Sequence, residues 1–97
     1  MPSFIMLANF TDQGVRAAKD TTKRYEGFKE MIQKSGVTIK DIYWTLGHYD
    51  IVAICEAPDD ETATAAFLSL GSAGNVRTQT LRAFSRDEME AVIKKMI

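Results

Sequence analysis

The sequence predicts an α+β domain in which one four-stranded antiparallel sheet packs against two main helices. Two observations support this fold class. Segments of strand and helix character follow one another in the order β-α-β-β-α-β, with a further short helix at the C-terminus. The length of 97 residues suits one hydrophobic core, so we expect residues 1–97 to form a single domain.

The chain is predicted to begin with a strand and a long helix. Phe4–Ala8 is an apolar run typical of a buried strand. Thr11 is a suitable N-cap, and an amphipathic helix is expected from there to Ser35-Gly36. Threonines in mid-helix have low helix propensity, which predicts a distortion between residues 20 and 23. The apolar stripe of this helix consists of Val15, Ala18, Thr22, Tyr25, Phe28 and Ile32.

The middle of the chain is predicted to be a hairpin followed by a second helix. Val37–Leu46 and Ile51–Glu56 are rich in β-branched and aromatic residues, and Gly47–Asp50 connects them. Acidic residues at Asp59–Glu61 favour a helix start, because the N-terminal end of the helix dipole is positive. This helix is expected to stop at Gly71–Gly74.

The last part of the chain is predicted to be a strand and a short helix. Val76–Phe84 alternates β-branched and polar residues, which is typical of a strand. Ser85 and Glu88 have the spacing of a capping box, so a C-terminal helix should follow directly. The complete order is that of the ferredoxin-like fold, which places both main helices on one face of the sheet.

The predicted strands are apolar on both faces of the sheet. Side chains alternate between the two faces along a strand. Ile42 and Trp44 therefore point to one face and Tyr43 to the other, and Ala53 and Ile54 likewise point to different faces. The helices can cover only one face. A soluble monomer rarely leaves such an apolar face in water, and a second copy of the chain is the simplest cover. We therefore expect a homodimer or a higher homo-oligomer.

The composition excludes several classes of partner. Lysine and arginine number 12 against 13 acidic residues, a net charge of -1, so no basic excess is present for nucleic acid. The apolar runs are far shorter than the roughly 20 residues that span a bilayer, so no membrane association is expected. The lone Cys55 cannot form an internal disulfide, and the first residues do not resemble a signal peptide. These features favour a cytoplasmic location.

Four segments of the chain match one family pattern: Tyr43–Ala53, Glu56–Ala63, Gly74–Thr78 and Thr80–Phe84. Together they resemble the GYD-domain family of small bacterial and archaeal proteins. The family motif Gly-x-Tyr-Asp is matched by Gly47-His48-Tyr49-Asp50, with histidine in the variable position. The resemblance implies a dimeric α+β barrel, in which two ferredoxin-like sheets pack face to face, and it implies no particular activity. It assigns no role to His48.

The hairpin turn carries the strongest candidate site. In a structural interpretation Gly47 supplies an unusual backbone geometry and Asp50 accepts amides of the turn. In a functional interpretation His48 and Asp50 hydrogen-bond or titrate together at the mouth of a cleft. No metal site is predicted, because His48 is the only histidine, and no cofactor is predicted. Cys55 is expected to be a small core residue rather than a nucleophile.

Polar residues of the strands complete the candidate site. Tyr43 and Thr45 are expected on the face opposite to the helices. Thr80 and Arg82 join them only in one of the possible strand registers, which the sequence does not fix. An arginine there would pair with an acid of either subunit or with an anionic ligand. The candidate ligand-binding residues are Tyr43, Thr45, His48, Asp50 and Arg82, and no catalytic residue is assigned.

Three functions agree with this sequence. The one we favour is a non-catalytic homodimeric module that binds a small anionic or aromatic molecule between or beside the two sheets. The second is a cofactor-free enzyme of the oxygenase or isomerase type, with His48 as the base and the site in the dimeric barrel. The third is a structural or regulatory assembly protein that uses the helix in Ser85–Ile97.

Overall fold

The protein forms one sheet with its main helices on one side. The computed structural model describes residues 1–97 and contains four strands and four α-helices. The elements are β1 (Ser3–Phe10), α1 (Asp12–Arg16), a 3-10 turn (Ala18–Asp20), α2 (Thr21–Gln33), β2 (Thr38–Trp44), β3 (Ile51–Glu56), α3 (Asp60–Ser72), β4 (Val76–Ala83) and α4 (Arg86–Ile93).

The strands lie in the order β2-β3-β1-β4, and every neighbouring pair is antiparallel. In the central strand β1, Met6 is opposite Ala53 of β3 on one side and Thr80 of β4 on the other. Residues opposite one another in an antiparallel pair point to the same face. The predicted ferredoxin-like α+β fold is therefore confirmed.

The core lies between the sheet and the helices α2 and α3. Alternate residues of β1 and β3 are buried on this side, as the sequence predicted. The ring of Phe28 on α2 is 6.3 Å from that of Phe67 on α3. Burying one such side chain contributes about 1.5–3 kcal/mol. The largest core residues are Phe4, Met6, Ile32, Val37, Ile39, Ile51, Phe67 and Val76.

The predicted first helix is divided in two by a 3-10 turn at Ala18–Asp20, next to the distortion expected between residues 20 and 23. Thr11 caps α1 as predicted, accepting a hydrogen bond from the Gly14 amide at 3.0 Å, but α1 ends at Arg16 and α2 begins only at Thr21. Helix α1 is held against the loop before β4, because the Thr11 amide donates to the Asn75 carbonyl at 3.0 Å. Helix α2 instead packs on β2. Val15, which was predicted on the apolar stripe, lies on the short helix α1 and is 58% exposed.

Strand β2 contains an irregularity that alternation alone does not predict. The register shifts between Ile39 and Asp41, so one extra residue is accommodated and both Ile39 and Ile42 contact the core. The strand also ends at Trp44, before the predicted end at Leu46. Leu46 is fully exposed in the following turn.

The C-terminal helix α4 forms with the predicted capping box. The Glu88 amide donates to Ser85 Oγ at 3.1 Å, and the Ser85 amide donates to the Glu88 carboxylate at 2.8 Å. No residue of α4 is buried, although its apolar side chains include Met89 and Ile93. None of the helices has both the length and the apolarity needed to cross a membrane.

Candidate functional site

The turn between β2 and β3 has a defined backbone geometry. Gly47 has φ +119°, a left-handed conformation that favours glycine, as the structural interpretation predicted. The Thr45 amide donates to the Asp50 carbonyl at 2.8 Å, and the Thr45 hydroxyl donates to the Tyr49 carbonyl at 2.5 Å. Thr45 and Asp50 thus close the loop by hydrogen bonds within it.

Asp50 joins this loop to the central strand. Its carboxylate accepts the amide of Phe10 at 2.9 Å, and its own amide donates to the carbonyl of Ala8 at 2.9 Å. The sequence predicted that Asp50 accepts amides of the turn, whereas the amide it accepts belongs to β1. Asp50 thereby extends the pairing of β1 and β3 beyond the last strand residue.

Tyr49 provides a contact that the sequence did not reveal. Its hydroxyl donates to the side-chain oxygen of Gln79 on β4 at 3.0 Å. Gln79 lies opposite Leu7, and Leu7 lies opposite Val52, so this contact is on the face away from the helices. No local pattern links Tyr49 with Gln79, because their contact depends on the strand order.

The structure brings four of the predicted site residues together in the hairpin. Tyr43 lies opposite Val52 and is 56% exposed on the face away from the helices. Thr45 and Asp50 are tied into the turn, and His48 is exposed within it. The hairpin therefore presents Tyr43 and His48 to solvent.

Arg82 lies on the other face of the sheet. It is opposite Phe4, which is a core residue on the helix side, and Thr80 has the same orientation. The guanidinium carbon is 4.5 Å from the centroid of the Phe84 ring, and a guanidinium nitrogen is 3.9 Å from the Glu88 carboxylate. It also donates to the carbonyls of Ser3 and Ala83. The sheet itself separates Arg82 from Tyr43, so these two residues do not share one site.

Three titratable groups have shifted pKa values, and each shift is explained by burial or by hydrogen bonds at a helix cap. Burial raises the pKa of the Cys55 thiol to about 11, so it is protonated at neutral pH, and Cys55 is a core residue as predicted. Hydrogen bonds from Thr62 lower the pKa of Asp59, the N-cap of α3. Hydrogen bonds from Ser85 lower the pKa of Glu88. No three or more His, Cys, Asp and Glu side chains form a group suited to a metal ion.

The face of the sheet away from the helices, hereafter the open face, adjoins the hairpin through the contact of Tyr49 with Gln79. Its side chains are identified by the register, since residues opposite Leu7 and Ile5 point the same way. Ile54 is 37% exposed and Leu81 is 40% exposed. The apolar centre of the open face consists of Ile5, Leu7, Val52, Ile54 and Leu81.

Comparison with known proteins identifies the family. A family model described as the GYD domain matches residues 4–93. The chain belongs to the GYD domain family. A relative from Thermus thermophilus is 35% identical over 95 residues, which cover 97% of this chain and 100% of the relative. That protein is named glutamine synthetase and cystathionine beta-lyase binding protein.

The residues that name the GYD domain have clear structural contacts in this member. Gly47 permits the turn, Tyr49 reaches β4, and Asp50 binds the end of β1. Together these contacts connect the hairpin loop with β1 and β4, the two strands that lie beyond β3 in the sheet. The motif therefore stabilises the end of the sheet next to the open face.

Proposed function

We propose that this GYD domain is a cytoplasmic, non-catalytic homodimer that binds enzymes as protein partners. The observation that carries the proposal is the apolar open face, where Ile54 and Leu81 are accessible while α2 and α3 cover the other face. Contiguous apolar surface of this kind marks interaction sites in soluble proteins. A second copy related by two-fold symmetry would place the same surface opposite and bury both.

The distribution of polar groups on the open face supports this association. Its apolar centre is flanked by Gln79, which is held by Tyr49, and by Glu56, whose carboxylate is 3.5 Å from the ammonium of Lys40. An apolar centre with a polar rim is the usual composition of a protein interface. Tyr43, at the margin of this face, belongs to the same surface in our proposal. Any ligand of the hairpin residues Tyr43, Thr45, His48 and Asp50 would lie at this rim.

The relative supports an enzyme as the partner. Its name states that it binds glutamine synthetase and cystathionine beta-lyase, and the two chains match over nearly their full lengths. We propose that the present chain likewise binds at least one of these enzymes. The exposed apolar side chains of α4, among them Met89 and Ile93, give the protein a second surface for such contacts.

Sedimentation velocity tests the homodimer. The wild-type chain should sediment as a dimer, and Ile54→Glu should give a folded monomer, because a carboxylate would then have to be buried between the two sheets. Leu68→Glu is the matched control, since Leu68 is 68% exposed on α3. This control should remain dimeric. A wild-type chain that is monomeric at high micromolar concentration would exclude the proposed dimer.

Biolayer interferometry with purified enzymes tests the partner. Immobilised wild-type chain should bind glutamine synthetase or cystathionine beta-lyase saturably, and an unrelated enzyme of similar charge should not bind. Comparing enzyme binding by Ile54→Glu and by Leu68→Glu shows whether the dimer is required for this binding. Absence of binding to both enzymes at high micromolar concentration would reject the partner assignment, whatever the oligomeric state.

A further inference from the structure

A cavity of about 300 Å³ lies on the helix side of the sheet, between α2, α3 and the strands. Of its 19 lining residues, 14 are hydrophobic, so the space is suited to an apolar group. The sheet contributes Met6 and Trp44, α2 contributes Tyr25 and Phe28, and α3 contributes Leu70. The cavity is therefore a half-open cleft between the two layers of the fold, with Met31 and Trp44 at its exposed side, and it lies across the sheet from the open face.

Small residues create this space. Ala8 and Ala53 are buried in the central strands where a larger side chain would reach between the helices. Gly27 on α2 also lines the cavity, and a Cβ atom added there would meet no other atom within 4 Å. Side chains that line such a volume lack van der Waals partners on that side. A bound apolar group would supply those contacts.

One cation adjoins the apolar lining. Arg24 is half-buried on α2, lines the cavity, and donates from Nη1 to the Ala17 carbonyl at 2.6 Å. Neither of the two ion pairs in the structure involves it. A guanidinium carries five N–H donors arranged to match a carboxylate. Arg24 thus has donors to offer an anion at the cavity.

The other polar groups near the cavity are already bonded or uncharged. Trp44 Nε1 donates to Thr21 Oγ1 at 3.0 Å, and the remaining polar lining residues are Ser69, Asn75 and, through its hydroxyl, Tyr25. No acidic side chain lines the cavity. The charge therefore favours an anionic head group beside Arg24, with an apolar body among the aromatic and aliphatic side chains.

We infer that this cavity is a binding site for a small amphipathic monocarboxylate, of the size of a medium-chain fatty acid. An apolar cavity of about 150 Å³ holds one benzene molecule, so the volume here suits a chain or ring system about twice that size. Because the site lies across the sheet from the open face, it can be filled in a monomer or in a face-to-face dimer. This binding site is additional to the proposed function and does not depend on that function.

Methyl NMR with methionine labelled at its methyl carbon tests the inference with sodium octanoate as the probe. Met6 and Met31 line the cavity, whereas Met89 and Met96 lie in the C-terminal segment. Octanoate should shift the Met6 and Met31 signals saturably and leave the other two unchanged. Unshifted Met6 and Met31 signals at millimolar octanoate, or shifts confined to Met89 and Met96, would overturn the inference.

Octan-1-ol, the uncharged match to octanoate, tests the role of Arg24. Octanoate should bind about tenfold more tightly than octan-1-ol, since a hydrogen bond to a charged group is worth about that factor. Arg24→Met should remove this preference and leave the affinity for octan-1-ol unchanged. Lys23→Met is the control for a lost charge on the same helix, because Lys23 is exposed and does not line the cavity. Equal binding of the two probes to the wild-type chain would overturn the assignment of a carboxylate.

Gly27→Leu gives a second variant that does not depend on Arg24. A leucine side chain at the cavity should weaken the binding of both probes at least about tenfold, because it occupies the space that they need. Gly71→Leu places the same side chain on α3 away from the cavity and should bind normally. Unchanged binding by folded Gly27→Leu would place the probes elsewhere and overturn the site.

Discussion

At the scale of single residues, Asp50 shows how a side chain can continue a strand pairing that the backbone has ended. β3 begins at Ile51, yet β1 continues to Phe10, whose amide would lack a partner on that side without the Asp50 carboxylate. The bond joins residues 40 positions apart in the chain. The sequence indicated that Asp50 accepts an amide, but it could not identify a donor so distant.

Replacing Asp50 by alanine should lower the free energy of unfolding by about 1–3 kcal/mol, because the Phe10 amide is left without its acceptor. Asp50→Asn keeps an oxygen at this position and should recover part of the loss. Urea denaturation followed by Trp44 fluorescence measures both variants. His48→Ala, in the exposed part of the same loop, is the control and should change stability by no more than about 0.5 kcal/mol. Equal stability of Asp50→Ala and His48→Ala would contradict this role.

Arg82 shows the limit of sequence alternation at the same scale. The two-residue spacing of Thr80 and Arg82 correctly predicts that they share one face of the strand. Only the register of β4 against β1 shows that this is the helix side. There Arg82 is paired with Glu88 of its own chain and packs against aromatic rings. This arrangement matches the structural alternative, a rim arginine bonded to an acid.

At the scale of elements, the sequence predicted the locally specified helix ends and a distortion near residues 20–23, but it did not predict that the first helix divides into two. Capping signals such as Ser85 with Glu88 act over three residues, so the sequence contains the whole interaction. The separation of α1 from α2 depends instead on the loop before β4. Gly14 allows the close approach, because a Cβ atom there would be 1.9 Å from the Asn75 carbonyl oxygen.

Gly14→Ala and Gly27→Ala should therefore have opposite effects on stability. Gly14→Ala should destabilise the protein by about 1–3 kcal/mol, because α1 must move away from the Asn75 backbone. Gly27→Ala should stabilise it by about 0.5–1 kcal/mol, since α2 gains helix propensity where nothing obstructs the new methyl group. Denaturant unfolding of both variants provides the measurement. Stabilisation by Gly14→Ala would show that α1 does not need this contact.

At the scale of the whole molecule, the chain is more extended than its length predicts. Its radius of gyration is 14.5 Å, and its extents are 50 × 31 × 19 Å. A compact domain of this size has a radius of gyration of about 12.5 Å.

Alternation within Ile51–Glu56 predicted the open face correctly, because both faces of one strand can be compared locally. The cavity could not be predicted, since its volume depends on how far α2 and α3 lie from each other.

Deleting residues 85–97 should leave a folded protomer, because α4 contains no buried residue and its apolar side chains lie outside the core. We expect thermal unfolding followed by circular dichroism to remain cooperative, with a stability change of no more than about 0.5 kcal/mol. Sedimentation velocity should still show the dimer, because the proposed interface is the open face rather than α4. Leu68→Glu serves as the full-length control. A monomeric but folded deletion variant would instead assign the subunit contact to α4, and intact dimers that no longer bind the enzymes would assign α4 to partner recognition.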